Sequence, residues 1–294
     1  MNFFIQILAN SLVTGTQVLL FAVSLYLIRA VSKTEHVALG AIATFIAYMF
    51  YVMFLATGSF MASSVFALVW AVIFGYTSFA LLEKFYKNND VLLGLLASLS
   101  FGIFLESLIG IIFETDAKNI IDGVLPVIDF GLFRMTTPGV ITVGFGILLT
   151  FIVSFVVLKT PYGRVLRSIN ENNALVSSLG VNSAFVRSFV YCLGCILTGF
   201  VGVMIGLNSA LTPFMGFQLV ITGFIAMFVG GVNDIRGVVV ATFLLSLIPE
   251  FLINYSPSSL DFSASHKMFF VFLIALILVM YRPNGLFSKN IRKS

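Results

Sequence analysis

Charged residues make up only 10% of this 294-residue sequence, while 60% of it is hydrophobic. A soluble domain so poor in charge could not cover its surface with polar side chains, which excludes water as the main solvent. Cysteine is almost absent: Cys192 and Cys195 both fall inside one apolar run. Their Cys-x-x-Cys spacing has no second ligand pair and no nearby histidine, so they are read as buried small residues without redox or metal chemistry. The two histidines, His36 and His266, are too few and too far apart for a metal cluster. No Gly-x-x-x-x-Gly-Lys-Ser/Thr phosphate loop occurs, which excludes ATP hydrolysis by that route. No catalytic residue and no cofactor are therefore expected on this chain. A pI near 9.1 raises nucleic acid as a partner, but the Lys and Arg residues are spread over short loops and form no patch.

What the sequence has in abundance is apolar runs, each long enough, at roughly 18 residues or more, to cross a hydrocarbon core about 30 Å thick as a helix. A membrane β-barrel would alternate apolar and polar residues, and runs such as Val140 to Leu158 do not. The chain thus reads as all-α, a polytopic transmembrane helical bundle forming one domain over 1–294. Spans are expected near 3–28, 37–56, 61–82, 91–113, 139–158, 184–207, 217–231, 237–254 and 267–281, about 8–9 in all. The first run is too long for a signal-peptide core and no small-residue cleavage site follows it, so it is kept as a mature span.

Basic residues orient the bundle. With the C-terminus inside, Arg29, Lys33, Lys84, Lys87, Lys159, Arg164, Arg167, Arg187, Arg236, Arg282, Lys289, Arg292 and Lys293 are cytoplasmic, and only Lys118, Arg134 and Lys267 lie outside. That split follows the positive-inside rule and places the N-terminus outside. An outer loop, Glu114 to Pro138, carries Glu114, Asp116, Asp122 and Asp129 and is long enough to meet a soluble partner. An inner loop, Lys159 to Ser183, predicts a short amphipathic helix near 168–182, with Leu175, Val176 and Leu179 on one face. Periodicity alone leaves two readings of it, a helix flat on the lipid interface or one that docks on a protein.

Polar groups inside the spans are the candidate substrate pathway: Glu106, Glu250, Gln218 and Asn208. A carboxylate at the depth of Glu106 costs about 2.5–3.5 kcal/mol on insertion scales, so it should face the bundle interior. It serves either the solute or a hydrogen bond between helices. Glu250 follows Pro249, which frees a backbone carbonyl and favours a hinge role. The short run 217–231 follows Pro213 and Gly216 and ends in Gly230-Gly231, with Gly237 beyond. It reads either as a broken or re-entrant helix bordering the pathway or as a place of close helix packing. Asn233 and Asp234 then form a turn.

Several stretches carry a family resemblance. Tyr162-Gly163-Arg164-Val165-Leu166-Arg167-Ser168, closing at Leu179-Gly180-Val181-Asn182, resembles the Gly-Arg-x-x-Arg-Ala and Gly-Ile-Asn signature of branched-chain amino acid (Liv-type) ABC permeases. Phe228-Val229-Gly230-Gly231 with Gly237, and the ending Tyr281-Arg282-Pro283-Asn284-Gly285-Leu286-Phe287, are similar to the same family. Looser matches are Asn10-Ser11-Leu12 with Gly15, Leu105-Glu106-Ser107 for Leu-Gln-Asn, and Phe113-Glu114-Thr115-Asp116 for Phe-Gly-Ser-Asp. His36-Val37-Ala38-Leu39-Gly40 departs from the family's Asn-Phe-Ala-His-Gly.

The resemblance implies a permease subunit in a bacterial inner membrane, paired with a second permease chain as a hetero- or homodimer. It further implies two ATPase subunits, a periplasmic binding protein and an amino acid as solute, with Arg164, Arg167, Glu171 and Gly180 at the ATPase contact. Related permeases for urea, amides, sugars or nucleosides, and a proton-coupled secondary transporter using Glu106 and Glu250, are the competing readings.

Overall fold

A computed structural model describes residues 3–88, 90–121, 123, 125–232, 234–255, 266–282 and 285–286. Asp122, Asn233, Pro283, Asn284, Phe287, Lys289, Arg292 and Lys293, which the sequence reading used, lie outside them. In hydrocarbon every backbone N–H and C=O must find a partner within the chain, so each apolar run becomes a helix. The long helices are α1 (Phe3–Ser32), α2 (Leu39–Thr57), α3 (Phe60–Lys87), α4 (Val91–Phe113), α5 (Thr137–Lys159), α8 (Ser183–Asn208) and α10 (Ile235–Asn254), while α9 (Met215–Gly230) and α11 (Lys267–Tyr281) are shorter. All nine coincide with the expected spans, within a few residues at each end. Between α5 and α8 run α6 (Pro161–Glu171) and α7 (Asn173–Ser178). The loop between α4 and α5 holds a hairpin of β1 (Val127–Asp129) and β2 (Arg134–Thr136), antiparallel with Ile128 opposite Met135. The protein is a polytopic helical bundle with, among the described residues, almost no sheet.

Several hydroxyls within the spans return their protons to the helix, although Ser11, Tyr48, Ser78 and Thr150 have no such partner among the described residues. Thr142 donates to the Pro138 carbonyl at 2.7 Å, Thr198 to Gly194 at 3.0 Å and Thr242 to Val238 at 2.7 Å. Back-bonding of this kind lets a polar residue sit in an apolar helix with no orphaned donor.

The chain forms two compact units. One comprises 24–124 and 151–220 and is built on α2, α3 and α8. Its core holds Tyr48, Ile42, Ile46 and Tyr191, all at most 2% exposed. Small residues set its spacing: a Cβ at Gly40 would strike the Gly216 carbonyl and one at Gly216 the Gly40 carbonyl, so the two backbones touch. The Gly216 N–H donates to Thr44 Oγ1 at 3.1 Å across the same contact. Outward-facing α4 leaves Ile103, Phe104 and Ile111 at least 55% exposed, as suits an apolar neighbour such as lipid.

The other unit comprises 1–23, 125–150 and 221–294. There Gln6 of α1 clamps the hairpin: its Nε2 donates to the Arg134 carbonyl and its Oε1 accepts the Arg134 N–H, both at 2.9 Å. Phe3 and Phe4 pack their rings on Tyr255 and Phe251 at the far end of α10.

Candidate functional site

Chemistry-bearing residues fall into four groups, beginning with the segment between α5 and α8. The helix expected near 168–182 is two helices. At Asn172 the backbone turns extended, φ −150°, and its side chain accepts the Leu175 N–H to cap α7. A polar residue that satisfies a helix start locally competes with continuation of the helix before it. The expected apolar face accordingly divides: Val176 is buried, whereas Leu175 and Leu179 are 56% and 75% exposed. Arg164, Arg167 and Glu171 are exposed on α6, and the Arg167 guanidinium donates to the Val157 carbonyl at 3.0 Å. Gly180 is exposed with φ +85°, a left-handed conformation that favours glycine.

Beneath α7 lies a network that charge counting did not reveal. Arg187 of α8 is 2% exposed and grips Glu83 of α3 with two hydrogen bonds, Nε to Oε2 at 3.0 Å and Nη2 to Oε1 at 2.6 Å. Its third nitrogen donates to Asn173 Oδ1, the first residue of α7, at 3.2 Å, and its guanidinium carbon sits 4.3 Å from the centre of the Tyr86 ring. A bidentate, stacked guanidinium is rigid. It therefore ties α7 to the ends of two spans.

The link from α1 to α2 forms the second group. Ser32, Thr34, Glu35 and His36 are all buried, although they join two helices in a polar stretch. Arg29 pairs with Glu35. His36 Nδ1 lies 2.8 Å from Ser98 Oγ, which also accepts the Ala38 N–H at 3.1 Å. His36 Nε2 has no hydrogen-bond partner among the described residues. Burial pushes this imidazole down to about 3, because a cation there would lack water.

The intramembrane candidates form the third group. Glu106 is half-buried on the flank of the α4 face that buries Gly102, Leu105 and Ile109, and among the described residues it has no hydrogen bond or ion pair. Glu250, four residues from the end of α10, pairs with Lys267 of α11 at 2.7 Å. Asn208 closes α8 and donates to the Met204 carbonyl at 3.0 Å, and Gln218 is exposed on α9. Helix α9 is continuous over its 16 residues. Gly230, Gly231 and Gly237 serve close approach: a Cβ at Gly237 would overlap the Gly230 carbonyl, and one at Gly285 would strike Gly231. The Leu286 N–H donates to the Val229 carbonyl at 3.0 Å in the same place.

The fourth feature is an open cleft of about 610 Å³ at the C-terminal ends of α2 and α4, lined by Tyr51, Val52, Leu55, Ile112, Glu114 and Lys118 among others. Lys118 is held by its backbone, which exchanges two hydrogen bonds with Leu211 at 3.0 and 2.8 Å. Glu114 has φ 64° and ψ −178°, a conformation open almost only to glycine. The Phe-Gly-Ser-Asp pattern that this stretch resembles has glycine there.

A bundle of apolar helices with an amphipathic helix pair at one end is a multi-pass membrane protein. Residues 7–281 match the family described as branched-chain amino acid transport system / permease component, and the chain belongs to that family. It is 21% identical to the high-affinity branched-chain amino acid transport system permease protein BraD of Pseudomonas aeruginosa, covering 97% of this chain and 96% of that one. It is 25% identical to the probable branched-chain amino acid transport permease protein LivH of Methanocaldococcus jannaschii, covering 85% and 81%. Among solved structures, PsaBC from Streptococcus pneumoniae in complex with Fab is similar, with a TM-score of 0.53 and 18% identity over 95% of this chain and 92% of that one. That likeness is one of fold alone.

Proposed function

We propose that this chain is the permease subunit of an ABC importer for a branched-chain or other small amino acid, resident in a bacterial inner membrane with its N-terminus outside and its C-terminus in the cytoplasm. Membership of the permease family along nearly the whole chain carries the reading. The sequence has no phosphate loop, so the energy comes from two ATPase subunits, and a second permease chain completes the membrane pore. A periplasmic binding protein delivers the solute. The α6–α7 pair is the coupling element: Arg164, Arg167, Glu171 and Gly180 present an exposed polar surface to the ATPase, while Arg187 transmits movement of α7 to α3 and α8. Nucleotide-driven closure of the ATPases then shifts the bundle between outward-open and inward-open states. Glu106, Asn208, Gln218 and Glu250 are the polar groups assigned to the solute pathway.

Reconstitution with ATPase and binding-protein partners is the test. ATP-dependent uptake of labelled leucine, lost when the ATPase is omitted, is the expected result. Transport by the purified chain alone down a proton gradient would end this reading.

A further inference from the structure

Glu114 and Lys118 line one cleft with opposite charges, and among the described residues neither carries an ion pair. Opposite charges that share a cleft without pairing can each receive a counter-charge from a ligand. Between them the wall is apolar, with Val52 39%, Leu55 65% and Ile112 56% exposed, and Tyr51 adds a hydroxyl and a ring face. The volume, about 610 Å³, falls within the range of roughly 300–1,000 Å³ usual for small-molecule sites.

A second observation points to the same residue. Glu114 keeps a side chain at φ 64° and ψ −178°, where glycine would be free of strain. Backbone strain of this kind persists where the surroundings hold it and concentrates at ligand sites. The strained residue is itself part of the cleft wall. Lys118 is placed just as firmly, since its N–H and C=O are both bonded to Leu211.

We propose that this cleft is a receiving subsite for a zwitterion with an aliphatic side chain, in which Glu114 takes the ammonium group, Lys118 the carboxylate, and Val52, Leu55 and Ile112 the side chain. The assignment rests on the amino acid transport reading above and gives that reading an outer contact point. Free leucine and a zwitterionic phospholipid headgroup share this chemistry, and the apolar wall accepts either a side chain or an acyl chain.

Binding of labelled leucine to the full chain in nanodiscs without the binding protein, competed by leucinol (no carboxylate) and by 4-methylpentanoate (no amine), reads the two charges separately, and uptake by the assembled transporter reads transport itself. In the wild-type protein both analogues should compete about tenfold or more worse than leucine, the effect expected for losing one contact to a charged group. Glu114→Gln and Glu114→Gly should each weaken leucine binding about tenfold and abolish the preference for leucine over 4-methylpentanoate. Lys118→Ala should instead abolish the preference over leucinol. Glu114→Gly also relieves the backbone and should raise the melting temperature, so its loss of binding would not be a folding defect. Leucine uptake by the wild type with unchanged preferences in all three variants overturns the subsite and leaves the transport reading intact. Absence of leucine uptake by the wild type overturns the transport reading and the subsite with it. Thermal stabilisation of the full chain by leucine in nanodiscs of purely anionic lipid should be unaltered by added phosphatidylethanolamine. Stabilisation by that lipid in place of leucine would assign the cleft to a headgroup and overturn the proposal.

Discussion

Burial of His36 has a consequence that pH can read out. Its folded pKa lies near 3 against an ordinary 6.5, so between those values the unfolded chain binds a proton that the folded chain refuses. The stability from this group is complete above pH 6.5 and is lost as the pH falls toward 3, at about 1.4 kcal/mol per unit. Thermal unfolding in detergent at pH 7.5 and 4.5 should show a smaller acid-induced loss for His36→Gln than for the wild type; equal losses would count against a neutral, buried imidazole. Glu106 differs in having, among the described residues, no partner to lose. Glu106→Gln should therefore change which solutes compete for uptake while leaving the melting temperature within a degree or so, since surface-like changes without a lost contact stay within about 0.5 kcal/mol. A clear drop in stability with unchanged preference would make it a structural group. Arg187 is the opposite case. Arg187→Met leaves Glu83, whose side chain is only 12% exposed, with the longer pair to the exposed Lys87 at 3.6 Å, and removing the buried partner of such a pair costs up to about 3–5 kcal/mol. The double variant Arg187→Met/Glu83→Gln should recover part of that loss in thermal melts, because no buried charge is then left unpaired and Lys87 is exposed.

Elements are positioned here by glycine contacts and by caps more than by propensity. The crossing of α9 and α10 depends on backbones that meet at Gly230 and Gly237. Gly237→Ala should destabilise the protein by about 1–3 kcal/mol, the usual penalty for a group inserted where no space exists. Gly144 of α5 is a built-in control, since a Cβ there meets nothing within 4 Å. Gly144→Ala should be neutral or stabilising by up to roughly 1 kcal/mol, the helix preference of alanine over glycine. Melting temperatures of the two variants should thus move in different directions, and a matching loss in both would mean that the contact at Gly237 is not what fixes the crossing. The break between α6 and α7 follows a local rule of the same kind. Asn172 caps the second helix from within what would otherwise be one continuous helix, and so sets Leu175 and Leu179 outward while Val176 packs inward.

For the molecule as a whole, the arrangement of basic residues implies a handedness across the membrane that labelling tests directly. Ser177→Cys on α7 should react with a membrane-impermeant maleimide only in inverted vesicles, and Phe130→Cys at the hairpin only from outside intact cells. Efficient labelling of Ser177→Cys from outside would reverse the topology. The positions of the nine apolar helices were legible in the sequence, because span length is set by bilayer thickness and backbone hydrogen bonding by the residues of the span itself, both local requirements. The hairpin was not, since three-residue strands carry too short a pattern to read, and the split of the inner helix depended on one asparagine.

Sequence alone thus determined the class of protein, the approximate positions of the apolar helices found among the described residues and, through its motifs, its family. Tertiary structure alone decided which polar groups meet: Arg187 with Glu83, 104 residues apart, and His36 with Ser98, 62 apart. It also decided that Glu114 and Lys118 share a cleft and that Glu250 is taken by Lys267. The reason is rotational. A helix apolar on all sides carries little asymmetry to say which face turns inward, so the pairing of faces is left to packing against its neighbours.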